Sequence, residues 1–409
     1  MAIISAFHAL RPTKELTPLV ASLPYDVLNS QEARILADKN PYSFLHITKA
    51  EIDLPEGTDS HSEKVYRKAA DNLHIFQDQK ILVKDEEPAY YIYQLTMNGK
   101  SQTGLVCVSA VTDYENNVIK KHELTRPEKE LDRINHMRAI GAQTGNVFLA
   151  YKSNVSLSNL ISSWKESHES AYDFVAEDGV GHQVWIVHDP QTITEITRIF
   201  QKQIPYTYIA DGHHRAASAA KVKNALGKES RPDAAYFLTT LFPSDELRIM
   251  DYNRLVKDLN GLDSKTFLDK LHKDFRVEIM NAAYSPEHLH NFGMYLEGKW
   301  YRLEARENSF PNDPIGILDV SILQENILSP ILGIRDQTTD TRIDFVGGIR
   351  GLSELVKRVD SGQMKLAFSL YPVSMDQLFD IADSGQIMPP KSTWFEPKLR
   401  DGLFTHLIR

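Results

Sequence analysis

Tyr206-Thr207-Tyr208-Ile209-Ala210-Asp211-Gly212-His213-His214-Arg215-Ala216-Ala217 runs from an extended stretch of β-formers into an alanine-rich helix, with a single glycine between them. Gly212 can take the positive φ that a sharp strand-to-helix turn needs. The amides that follow it lie at a helix N-terminus, where unpaired N–H groups and the macrodipole favour an anion. His213, His214 and Arg215 add side-chain donors at the same mouth, and a guanidinium can grip two phosphate oxygens at once. Asp211 adds a carboxylate able to hold Mg²⁺ or take a proton. Ala216, Ala217, Ala219 and Ala220 keep the helix slim enough to pack closely behind the turn. Adjacent histidines point in different directions, so zinc ligation, which on helices uses i, i+4 pairs, is the weaker reading.

Outward from this turn, strands and helices alternate irregularly. Asn29 and Glu32 have capping-box spacing, and Val65, Tyr66, Ala69, Leu73 and Phe76 share one helical face. Tyr90–Leu95 and Gly104–Ala110 flank Asn98-Gly99 as a hairpin. Val147–Tyr151, Val184–Val187 and Pro205–Ile209 read as strands, with helices over Thr192–Gln203 and Ala216–Leu226. A second hairpin is expected across Glu297-Gly298-Lys299, and another strand over Leu366–Leu370. The pattern is α+β, a mixed α/β class rather than a doubly wound repeat. A boundary near 260 divides the expected regions into 1–260, with the turn's core at about 180–260, and 261–409, which contributes to the site.

Composition narrows the function. The 409 residues carry 46 Lys+Arg and 55 Asp+Glu, a net charge of −9, which argues against coating nucleic acid or an anionic membrane through bulk charge. Apolar residues at 42% and charged residues at 25% are those of a soluble globular protein. One cysteine, Cys107, excludes an intrachain disulfide and any multi-cysteine metal site. No apolar run approaches the roughly 18–20 residues that span a bilayer, and Met1–Leu10 lacks a signal-peptide pattern. A cytoplasmic location is expected.

A second charged segment, Lys120–Arg133, surrounds a turn. Thr125 and Glu128 have capping-box spacing about Pro127, which suits a first helical position. Lys129 and Arg133, four apart, would face one way, towards a phosphate or carboxylate, and His122 and Glu123 precede the helix. A hydroxyl attacking a γ-phosphate needs positioning, charge neutralisation and one proton acceptor; Glu123 is the preferred base. Asp26, in Leu23-Pro24-Tyr25-Asp26-Val27, and Lys391, presented by Pro389-Pro390, are further candidates.

The Asp211–Arg215 turn between strand and small-residue helix resembles the phosphate-binding motif of the ParB/sulfiredoxin-like superfamily, in which free serine kinases are nearest in chemistry. Over its length the chain also resembles a bacterial family catalogued as a domain of unknown function. The pieces that carry this resemblance are Pro24–Val27, Asn40–His46, Lys121–Thr125, Leu318–Ser321 and Met388–Thr393. The resemblance implies a phosphate-binding core elaborated with further α/β segments, and a kinase of a small hydroxylated metabolite, with free L-serine as first candidate. ATP or ADP would donate the phosphoryl group with Mg²⁺. Sulfiredoxins place a cysteine in this motif where His213 or His214 stands here, so sulfinic acid reduction is not expected. In this reading Gly212, His213, His214 and Arg215 bind nucleotide phosphates, and Glu123, Asp211 and His214 are catalytic, with Asp211 the metal ligand. Asp26, His122, Lys129, Arg133 and Lys391 contact the substrate. Two other classes are a regulatory nucleotide-binding protein with slow hydrolysis and a histidine-based, metal-dependent hydrolase. Expected partners are the small substrate and nucleotide, with no nucleic acid and no membrane.

Overall fold

Asn98 and Gly99 adopt φ of 53° and 73°, the paired left-handed conformations of a two-residue hairpin turn. They join β2 (Tyr90–Met97) to β3 (Lys100–Ala110), with Met97 opposite Lys100. This hairpin is the middle of a nine-stranded sheet in the computed structural model, which describes residues 1–227 and 231–409. The other strands are β1 (Ile4–Ser5), β4 (Ile119–Lys120), β5 (Val147–Tyr151), β6 (Tyr172–Val175), β7 (Gly181–Val187), β8 (Thr207–Asp211) and β9 (Tyr236–Pro243). Their order is β4-β8-β5-β9-β3-β2-β7-β6, with β1 also on β3. The β4–β8 and β5–β9 pairs are parallel and the rest antiparallel, so the sheet is mixed, as the class expected from the sequence requires.

The helices that bear on the site are α1 (Glu63–Asp78), α2 (Pro127–Ile140), α3 (Pro190–Gln203) and α4 (His213–Leu226). On α1 the apolar stripe read from the sequence is the buried face. Ile196, Ile199 and Phe200 of α3 and Ala216, Ala219 and Ala220 of α4 join Ile92, Leu105, Leu149 and Ile209 in one core. The small side chains of α4 let α2 approach closely enough for Ser218 Oγ to donate to the Glu130 carbonyl at 3.2 Å. The Asn29–Glu32 capping box is present.

The chain divides into two compact units, one formed by Met1–Leu247 with Pro397–Arg409 and the other by Arg248–Glu396. The boundary read near 260 has no counterpart for the last segment, which returns to the first unit. That return is made by backbone pairing: Ser22 with Asp401, Leu10 with Thr405, and His406 with Gln143. The second unit is built on an antiparallel six-stranded sheet in the order Phe275–Met280, Lys299–Ala305, Asn291–Leu296, Leu366–Leu370, Tyr252–Val256, Ile343–Gly347. The second hairpin and the Leu366–Leu370 strand both lie where the sequence places them. Among the described residues no helix is long and apolar enough to cross a membrane.

Candidate anion-binding site

Strand β8 slips register against β5 between Ile209 and Asp211, a local irregularity that re-aims the strand end, as bulges beside functional sites commonly do. Gly212 follows with φ 101° and ψ 30° and is the N-cap of α4. The helix therefore begins at His213, three positions earlier than the periodicity of its alanines indicates. Both histidines and Arg215 make up its first turn. Gly212 contributes no capping side chain, which leaves the first amides of α4 without a side-chain acceptor.

Arg215 organises one side of the turn. Its Nη2 lies 3.6 Å from Asp26 and 3.4 Å from Asp211, and its Nη1 donates to the Asn146 carbonyl. The guanidinium is only 10% exposed, whereas the two carboxylates are 39% and 36% exposed. Burial alone would lower the arginine pKa, but Asp26, Asp211, Tyr25 and Asp401 outweigh it and hold the cation charged. Asp211 is also 3.5 Å from Lys398 Nζ. Burial works against its charge, yet Lys398, Arg215 and His213 hold it below the ordinary carboxylate range. A Cβ on Gly212 would sit 3.0 Å from Arg215 Nε, so the glycine also clears space for the guanidinium.

His122 and His213 form the other side. Their rings meet edge to face at 4.6 Å, and His213 Nε2 accepts from the His122 amide at 3.4 Å. That bond assigns the proton of neutral His213 to Nδ1, which lies 3.9 Å from Glu123 Oε2. Burial, joined by the neighbouring His122, pushes His213 well below its ordinary pKa. Burial likewise pushes His122 down to about 4. Both ring nitrogens of His122, and Nε of Arg215, are buried with no hydrogen-bond partner among the described residues. Such orphaned polar atoms are costly unless a bound group satisfies them. His214, depressed chiefly by burial, accepts from the Arg126 amide at 2.9 Å.

The remaining candidates separate. Arg133 is buried over the Tyr25 ring at 3.9 Å and paired with Asp132, and it lines a water-sized cavity of about 20 Å³ with Tyr25, Gly145 and Arg215. Lys129, four positions back on α2, is exposed. Lys391 belongs to the second unit, at φ 60°, with its ammonium 5.7 Å from the Tyr252 ring and its carbonyl bonded by Arg254. The cap of α2 is Arg126, not Thr125, and it makes no side-chain cap bond. Pro127 holds the first helical position, which makes the residue before it the cap, and Thr125 bonds Glu130 instead. Among the described residues no group of three or more His, Cys, Asp or Glu has metal-holding geometry.

Sequence reasoning missed Asp401. Its carboxylate is buried, accepts from the Tyr25 amide at 3.4 Å, and is pushed up to about 7 by burial in spite of Arg215. It also missed Gly145, where a Cβ would meet Arg215 Cδ at 3.2 Å and Asp401 Oδ1 at 3.5 Å. The Asp401-Gly402 pair, with Gly402 at φ 90°, is an aspartate–glycine turn like Asp211-Gly212 and Asp178-Gly179, and that shared pattern does not by itself single it out.

Solved structures similar to this chain include a free serine kinase mutant in complex with AMP, at 12% identity and TM-score 0.38, covering 74% of this chain and 92% of that one. A conserved hypothetical protein from Pyrococcus furiosus is 14% identical with TM-score 0.36, covering 74% and 94%. C-terminally truncated SbnI from Staphylococcus aureus is 11% identical with TM-score 0.36, covering 71% and 82%. A search of curated protein sequences finds no match. The family model described as "Protein of unknown function (DUF1015)" matches residues 4–321, and the chain belongs to that family.

Proposed function

We propose that this protein is a small-molecule kinase that transfers a phosphoryl group from a nucleotide to the hydroxyl of a small metabolite. The observation that carries the reading is the start of α4. Its amides have no side-chain cap, and near them the one N–H of the neutral His122 ring and the Nε–H of Arg215 are buried without partners. A ligand with several anionic oxygens satisfies both at once. Free L-serine is the first acceptor to test, because the Asp211–Arg215 motif resembles that of the free serine kinases.

Mg²⁺ fits the donors present. It binds through one or two carboxylates together with substrate phosphates, and Asp211 and Asp26 both flank Arg215 at partial exposure. Bound there, the ion would neutralise charge on the phosphates. Arg215 holds the two carboxylates in place, and the α4 amides orient the phosphate oxygens. Glu123, half-exposed with its Oε2 3.9 Å from His213 Nδ1, takes the proton from the acceptor hydroxyl. A bond then forms from that oxygen to the γ-phosphorus as the bond to the β-bridging oxygen breaks and the nucleoside diphosphate leaves.

Incubation with γ-³²P-ATP and single acceptors (L-serine, L-threonine, glycerate, a sugar alcohol) tests the reading. Label is expected in one acceptor's phosphomonoester. Label in inorganic phosphate alone with every acceptor would overturn it.

A further inference from the structure

The C-terminal return segment brings into the first unit a cation that the motif turn itself lacks. Lys398 is 15% exposed on its side chain and lies 3.5 Å from Asp211 Oδ2, while Arg215 approaches Oδ1 of the same carboxylate at 3.4 Å. Asp211 thus carries two cations on its two oxygens. Arg215 is further committed to Asp26 and to the Asn146 carbonyl. It cannot leave them without exposing two carboxylates to one another. Lys398 is a compact charge on a flexible stem, which can change partners at little geometric cost. Its place is fixed by the backbone pairing of Asp401 with Ser22, in both directions at 3.0 Å, three residues further on. The segment also lies beyond residues 4–321, the stretch matched by the family model.

We propose that Lys398 is the mobile phosphate-binding cation of the site, held by Asp211 until a nucleoside diphosphate or triphosphate arrives and then transferred to its terminal phosphate. The proposal rests on the kinase reading, since it needs a nucleotide at the start of α4. It makes the C-terminal segment part of the binding site, not only a structural return.

Calorimetric titration with ADP tests it in the full chain. Lys398→Met should weaken ADP binding at least tenfold, and Lys398→Arg should recover most of that loss. With the titrations run without Mg²⁺, so that Asp211 does not enter as a metal ligand, the double variant Lys398→Met/Asp211→Asn, read against Asp211→Asn alone, separates contact from charge balance. If Lys398 only neutralises Asp211, removing both restores affinity, and the proposal fails. If it touches phosphate, the double variant stays weak. The slope of log Kd against log salt should also be shallower in Lys398→Met than in wild type. Equal ADP affinity in wild type and Lys398→Met would refute the proposal while leaving the kinase reading intact. Absence of ADP binding by the wild type would overturn both. Thermal unfolding of each variant establishes that any lost affinity is not lost fold.

Discussion

Replacing Gly212 by alanine perturbs the turn in two ways whose sizes follow from the structure. At φ 101° an L-residue is beyond the left-handed region it tolerates, a penalty of about 1–2 kcal/mol. The new Cβ would stand 3.0, 3.1 and 3.3 Å from Nε, Cζ and Nη2 of Arg215, closer than carbon packs against a guanidinium. Arg215 must shift, and its pairs with Asp26 and Asp211 lengthen. Both carboxylates are more than a third exposed, so solvent screening limits that loss to about 1 kcal/mol in all. The sum is about 2–3 kcal/mol, or roughly 4–6 °C in the unfolding midpoint of a unit this size. Near-UV circular dichroism during heating reads the stability, and ADP titration reads the site. Gly212→Asn tolerates the left-handed region better but carries the same Cβ, so it should recover part of the stability and none of the affinity. A Gly212→Ala protein with wild-type midpoint and wild-type ADP binding would refute the account of the turn.

Three other perturbations give distinct readouts. Glu123→Gln should lower kcat about 100-fold while leaving ADP affinity within twofold, measured by product formation and calorimetry; an unchanged kcat removes it as the base. Arg215→Ala should lose activity at least 100-fold and also about 1–3 kcal/mol in urea unfolding, because two carboxylates lose their shared cation and the Asn146 carbonyl loses its donor. Asp401→Asn should flatten the pH dependence of stability. The folded carboxyl titrates near 7 and the unfolded one near 4, so the folded state binds the extra proton between them. Stability from this group is complete below about pH 4 and is lost as pH rises through 7. The wild type should therefore fall relative to Asp401→Asn by at most about 1.4 kcal/mol per pH unit over that window, read by urea unfolding at a series of pH values. Parallel curves would contradict the assignment.

What was legible in the sequence was local. The Asn98-Gly99 hairpin, the α1 stripe and the strand–glycine–helix turn each depend on residues a few positions apart, and the chemistry of Gly212 and the small residues after it announces the turn directly. What was not legible depends on distance along the chain. Asp401 and Lys398 reach the turn only because strand pairing at Ser22 and Gln143 returns the terminus to the first unit. Nothing in the short-range pattern around Asp401 separates it from any other aspartate–glycine turn. Lys391 and Lys398 are seven positions apart, yet the unit boundary after Glu396 divides them. The α2 cap moved from Thr125 to Arg126 because proline at the first helical position decided it. Arg133 has the spacing of a ligand-facing partner to Lys129, but the Tyr25 ring and Asp132 claim it first.

The most direct test is ³¹P NMR of the purified protein with Mg²⁺ and ATP, with and without L-serine, and again with ADP as donor. The account predicts a phosphomonoester resonance that requires protein, nucleotide and a hydroxyl acceptor together, and that disappears with Arg215→Ala. Nucleotide left intact, or inorganic phosphate as sole product with every acceptor tried, would contradict it.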